Sequence, residues 1–77
     1  MKIEARLYAT LRRYGSPQEA ALTLDVPAGC RVAQVLEMLS MPAEVEKVIL
    51  VNGRPAEEGS VLHEGDRVVL FPPVAGG

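Results

Sequence analysis

One cysteine, one histidine, no tryptophan and three aromatic residues (Tyr8, Tyr14 and Phe71) are all that 77 positions hold of these types. Each scarcity excludes something. A lone Cys30 rules out an internal disulfide, and with His63 it supplies no Cys/His ligand set for a metal. Eight Lys and Arg stand against ten Asp and Glu, for a net charge of −2. The basic residues are scattered, with Arg12-Arg13 as the only doublet. Neither a phosphate-tracking stripe nor a base-stacking platform can be assembled from that, so nucleic acid is set aside as a partner. The longest apolar run, Val48-Ile49-Leu50-Val51, is far short of the roughly 20 residues a membrane helix needs. MKIEARLY has no charged region followed by an apolar stretch, so no export signal is expected and a cytoplasmic location is.

What is present suits a small folded domain. Apolar residues make up 48% and charged residues 23%, which places the chain among globular proteins and away from disordered ones. A chain this short buries roughly 60% of the surface its unfolded form exposes, enough for one core with little margin. It is too small to build a deep catalytic cleft alone. A carrier, a binding module or one subunit of something larger is favoured over a self-sufficient enzyme.

Ile3, Ala5 and Leu7 alternate with Lys2, Glu4 and Arg6, the pattern of a strand with one buried face. The segment 9–15 breaks the alternation, and Gly15-Ser16-Pro17 marks a loop. Leu22, Leu24 and Val26 form a second alternating strand, stopped by Pro27-Ala28-Gly29 and expected to pair antiparallel with the first. Val32, Val35, Leu36 and Leu39 fall at helical spacing, with an end near Ser40-Met41-Pro42. A short helical turn is expected over 43–47, then a third strand over 48–51. Asn52-Gly53 is a tight-turn signal, since both residues tolerate positive φ. Two further turns, Glu57-Glu58-Gly59 and His63-Glu64-Gly65-Asp66, precede a last strand over 67–71. One helix covers one face of a mixed sheet, giving a two-layer α+β domain with the other face open.

The third and last strands are apolar on both sides. Val48 and Leu50 point opposite to Ile49 and Val51, and Val69 and Phe71 opposite to Val68 and Leu70. One member of each pair cannot reach the single helix. Flanking loops could cover these residues, or they could be scattered surface apolars of the common kind. The alternative is one contiguous apolar patch for a protein partner.

After the last strand the chain runs Pro72-Pro73-Val74-Ala75-Gly76-Gly77. A domain over 1–72 followed by a flexible diglycine tail over 73–77 is expected. The prolines favour an extended path away from the sheet, and glycine lacks the Cβ that would clash in a narrow channel. Five extended residues from Pro73 to Gly77 reach about 17 Å. A disordered chain end is the ordinary alternative.

Several segments together resemble one family. YATLRRYG is similar to the FAxLRExxG segment of the molybdopterin synthase small subunit, MoaD. PAGCRVAQVLEML is similar to the helix entry of MoaD and of the thiamine sulfur carrier ThiS. VNGRPAEEGSVLHEGDRVVLFPPVAGG resembles the second half of MoaD, with its VNG turn, GD before the last strand and FPPVxGG ending. The resemblance spans nearly the whole chain. Cys30 departs from it where Thr or Ser is common, at an expected cost of about 1 kcal/mol in helix capping, and Arg13 departs where an acidic residue is common.

The resemblance implies a ubiquitin-like β-grasp fold, a mixed sheet of four to five strands with one main helix on one face. It implies that the third and last strands are neighbours. It further implies that an E1-like enzyme of MoeB or ThiF type adenylates the Gly77 carboxylate, and that a sulfurtransferase donor converts it to a thiocarboxylate. As the small subunit of molybdopterin synthase, the chain would then give sulfur to a pterin precursor alongside a large subunit of MoaE type. The expected docking residues are Leu50, Val69, Phe71, Pro72, Pro73, Val74, Ala75 and Gly76. No bound cofactor is expected: the chain has no glycine-rich phosphate loop with its Lys, so ATP falls to the activating partner. A ThiS-like carrier for thiamine thiazole, a ubiquitin-like modifier joined to lysines, and a plain interaction module stay open beside this reading. Cys30, His63 and the Arg12-Arg13 pair are expected to be a packed core residue, a turn residue and a solvated loop.

Overall fold

The computed structural model describes residues 1–15 and 21–73. β1 is Lys2–Leu7, and its alternation sends Ile3, Ala5 and Leu7 into the core while Glu4 and Arg6 stay on the other face. β2, Ala21–Asp25, runs antiparallel to it, with Ile3 opposite Leu24 and Ala5 opposite Leu22. β3 (Val48–Val51) and the two-residue β4 (Arg54–Pro55) form a hairpin around Asn52-Gly53. Both turn residues have positive φ, 53° at Asn52 and 82° at Gly53. These angles match the right-handed strand twist and explain this dipeptide. β5, Arg67–Phe71, completes the sheet.

The strand order is β2-β1-β5-β3-β4. β1 and β5 lie parallel at the centre, and β3 runs antiparallel to β5. The sheet is mixed, and the expected neighbours β3 and β5 are paired. The resulting architecture is a small α+β fold of the ubiquitin-like β-grasp kind. β4 is the strand that the sequence pattern left undefined, because two exposed residues carry no periodicity.

The single α-helix, α1, spans Val32–Met38 and buries Val32, Val35 and Leu36. They join Ile3, Leu7, Leu11, Ile49, Leu62, Val68 and Leu70 in one core. Its N-terminus is satisfied without a Ser or Thr cap. The cap residue is Arg31, whose N–H donates to Gln34 Oε1 at 2.9 Å. The Val32 and Ala33 N–H groups donate to the Ser60 and Glu58 carbonyls at 3.0 and 2.8 Å. The expected capping penalty at Cys30 therefore does not arise. Cys30 is a core residue 1% exposed, one position before the cap.

The helix ends in a Schellman motif. Ser40 N–H donates to the Glu37 carbonyl and Met41 N–H to that of Leu36, both at 3.0 Å, with Ser40 at φ 58°. Met41 and Leu36 are both in the core, the apolar pair such a motif usually carries. One element has no counterpart in the sequence reading, and one local expectation needs correction. The segment 9–15 contains a 3₁₀ helix, Ala9–Tyr14, which buries Leu11. Residues 43–47 form a turn closed by Val45 N–H to the Pro42 carbonyl, without a second helical segment. Pro42 and the turn leave too little length between α1 and β3 for one.

Candidate functional site

With α1 and the 3₁₀ helix occupying one side, the sheet keeps a second face whose composition follows from strand parity. Val48 pairs with Phe71 and Leu50 with Val69, so these four side chains share the face away from the helix. Their partners Ile49, Val68 and Leu70 are buried on the other side. The four are half-buried, so each keeps apolar surface in reach of solvent. Pro55, opposite Leu50, is exposed and extends the apolar half towards the β4 edge.

β5 leads directly from this face to the tail. Phe71 is half-buried, as is Pro72, and Pro73 is exposed. The expected docking residues Leu50, Val69, Phe71, Pro72 and Pro73 thus occupy adjoining positions along β3, β5 and the β5 exit. Val74, Ala75, Gly76 and Gly77, including the proposed acyl carrier, lie outside the described residues.

The other half of the face is charged. Lys2, Glu4 and Arg6 of β1 lie beside Arg67 and Val69 of β5, with Glu4 level with Arg67 and Arg6 level with Val69. Glu4 Oε1 accepts a hydrogen bond from Arg6 Nε at 2.6 Å and forms an ion pair with Arg67 Nε at 2.8 Å. The Arg6 hydrogen bond, supported by the charges of Arg6 and Arg67, holds the Glu4 carboxyl below the usual glutamate range. Arg6 is in turn held charged by its hydrogen bond to Glu4. Tyr8 is 40% exposed, among the few large apolar side chains left open.

Beyond Arg67 the face ends in a braced turn. Asn52 Nδ2 donates to Asp66 Oδ1, and Asn52 Oδ1 accepts from the Arg67 N–H, both at 2.9 Å. Asp66 Oδ2 accepts the His63 N–H at 2.8 Å. The bracing fixes a shallow depression of about 450 Å³ lined by Glu4, Asn52, Gly53, Gly65 and Arg67.

Sequence reasoning did not assemble this Glu4–Arg6–Arg67 cluster. Glu4 and Arg6 are legible as same-face neighbours on one strand, but Arg67 joins them only through the parallel β1–β5 register. Four other residues singled out from sequence stand apart. Cys30 is in the core, His63 is exposed in its turn, and Arg12 and Arg13 are exposed at the end of the 3₁₀ helix. Arg13 lies 5.8 Å from the centre of the Tyr14 ring. Among the described residues, no group of three or more His, Cys, Asp or Glu is placed to hold a metal. No described helix is long and apolar enough to cross a membrane.

This geometry can offer a partner an apolar area beside the exit of β5 at Pro72 and Pro73. Comparisons with known proteins agree with that picture. SAMP1 from Haloferax volcanii is 26% identical, with a TM-score of 0.79 over all of both chains. A Pyrococcus furiosus protein, named as a candidate subunit 1 of the molybdopterin converting factor, is also 26% identical. Its TM-score is 0.79, covering 95% of this chain and 98% of that one. Subunit 1 of the molybdopterin-converting factor from Helicobacter pylori 26695, solved in complex with subunit 2, shares the fold at 19% identity. It has a TM-score of 0.69 over all of both chains. No curated protein matches by sequence. The family model described as the ThiS family matches residues 6–77, and the chain belongs to that family of ubiquitin-like sulfur carriers.

Proposed function

We propose that this protein carries sulfur on Gly77 as the small subunit of a molybdopterin synthase. The observation that carries this reading is that the family match runs through the diglycine to Gly77, while β5 delivers the chain to Pro73 beside an apolar sheet face. A carboxylate is a poor acyl donor. The Gly77 carboxylate attacks the α-phosphate of ATP in an E1-like partner, releasing pyrophosphate and forming an acyl-adenylate. The terminal sulfur of a sulfurtransferase persulfide then attacks the acyl carbon and displaces AMP, and a thiol cleaves the resulting acyl disulfide, leaving a thiocarboxylate and a new disulfide. In the synthase, a MoaE-type subunit directs that sulfur onto the pterin precursor.

The protein's own contribution is reach and docking. Val48, Leu50, Val69 and Phe71 hold the partner surface, Pro72 and Pro73 aim the chain outward, and Val74 to Gly76 occupy the partner's channel. That subunits 1 and 2 of the Helicobacter pylori factor form a complex supports a MoaE-type partner. The likeness to SAMP1, a small archaeal modifier protein, supports a second reading in which activated Gly77 is joined to lysines.

The test is reconstitution with ATP, the host's E1-like enzyme and its MoaE-type subunit. Pyrophosphate release and sulfur transfer to the precursor are expected with the full chain and lost when Gly76-Gly77 is deleted. Undiminished sulfur transfer by the deleted chain would overturn the reading. Lysine-linked conjugates with no sulfur transfer would favour the modifier.

A further inference from the structure

The charged half of the open face bears directly on the apolar half. Arg6 sits level with Val69, and Arg67 lies two residues before Val69 on the same strand and the same face. A partner that covers Val69 and Leu50 therefore meets the Arg6–Glu4–Arg67 cluster at its edge. The cluster has two guanidinium groups and one carboxylate, so it presents a net positive charge to whatever docks. Both Nε atoms converge on Glu4 Oε1. Among the described residues, the Arg67 side chain has no ion pair other than this one. Its side chain is 54% exposed and lines the depression next to the apolar patch.

Several other polar groups lining that depression are engaged. Asn52 uses both amide atoms, on Asp66 and the Arg67 N–H, and the Gly65 N–H donates to the Lys2 carbonyl. Glu4 is already shared by two cations. The guanidinium of Arg67 is the cationic group lining the depression, and it keeps donors for an incoming ligand, in a recess large enough for a carboxylate side chain. A Lys or Arg placed there would meet two guanidinium groups.

We propose that the protein partner docking on the apolar face carries an Asp or Glu side chain that enters this depression and pairs with Arg67. The cluster then acts as the specificity element of the interface, admitting acid-edged surfaces and rejecting basic ones. Glu4 tempers the charge of both guanidinium groups. This rests on the partner-docking reading of the open face given above.

The experiment is equilibrium binding of the full chain to the host's purified E1-like enzyme and MoaE-type subunit, at two salt concentrations. Arg67→Glu is expected to weaken binding by about tenfold or more, and Arg67→Gln by about two- to fivefold. Glu4→Gln leaves the cluster with one more positive charge and is expected to tighten binding a few-fold. A merely structural role for Glu4 would not produce that gain. Raising the salt should weaken the wild type more than Arg67→Gln. Amide NMR spectra of each variant check the fold, and the exposed side chains at issue leave it intact.

Unchanged affinity in Arg67→Glu, or weaker binding in Glu4→Gln, overturns the proposal while wild-type binding that is abolished by Leu50→Asp leaves the docking reading standing. No wild-type binding to either partner overturns both.

Discussion

Ile49 and Leu50 are consecutive residues on one strand, facing opposite sides of the sheet, and truncating each should do opposite things. Ile49 is 8% exposed in the core beneath α1. Ile49→Ala removes three buried carbons, about 0.8 kcal/mol each by transfer, plus a cavity contribution, for a total near 3 kcal/mol. A domain of this length is stable by only about 4–12 kcal/mol, so that is a large share. At roughly 4–8 °C per kcal/mol, the thermal midpoint should fall by about 12–24 °C. Leu50 is half-buried on the open face opposite Val69. Solvent fills the space left by Leu50→Ala, so no cavity forms and the stability loss is about 1 kcal/mol or less. If the open face docks a partner, the same change should weaken binding by about tenfold. Thermal melts by circular dichroism and calorimetric titration with the MoaE-type subunit read the two effects. Equal destabilisation by both variants would show that the open face is a second core. Full-strength binding by Leu50→Ala would refute its docking role.

Ser40 closes the helix at φ 58°, a region that costs any side chain with a Cβ. Ser40→Gly should raise stability by roughly 0.5–1 kcal/mol, seen as a higher thermal midpoint, and a lower one would refute the strain argument. Gly53 has φ 82° in the β3–β4 turn, so Gly53→Ala should destabilise the fold by about 1 kcal/mol in denaturant titration although nothing lies within 4 Å of the added Cβ. The carboxyl of Glu4 titrates lower in the folded than in the unfolded chain, because Arg6 first and Arg67 second favour its charged form. Its contribution is therefore present above the ordinary glutamate range and is lost as pH falls through the lowered folded value. Thermal midpoints measured on the acid side should fall less steeply for Glu4→Gln than for wild type, and parallel curves would contradict the assignment.

Much of the frame was legible in the chain because its signals are local. Alternation fixed β1 and β2, the spacing of Val32, Val35, Leu36 and Leu39 fixed α1, and Asn52-Gly53 fixed the hairpin. The two-sided strands β3 and β5 already implied an open apolar face. What escaped was set by tertiary contacts. The 3₁₀ helix is stabilised by burying Leu11, and the N-terminal hydrogen bonds of α1 come from the 58–60 loop. The cluster around Glu4 needs residues 4 and 67 side by side, which only the parallel pairing supplies. Sequence distance hides such a cluster, however regular each strand looks.

The central claim is that Gly77 bears the transferred sulfur. Intact-mass and C-terminal peptide mass spectrometry of the protein purified from its host, under non-reducing, thiol-free conditions, tests it most directly. The account predicts a population in which one oxygen of the Gly77 carboxylate is replaced by sulfur. That population should disappear when the host's E1-like enzyme is absent. A Gly77 carboxylate that is never sulfurated in cells with the enzyme present would contradict it.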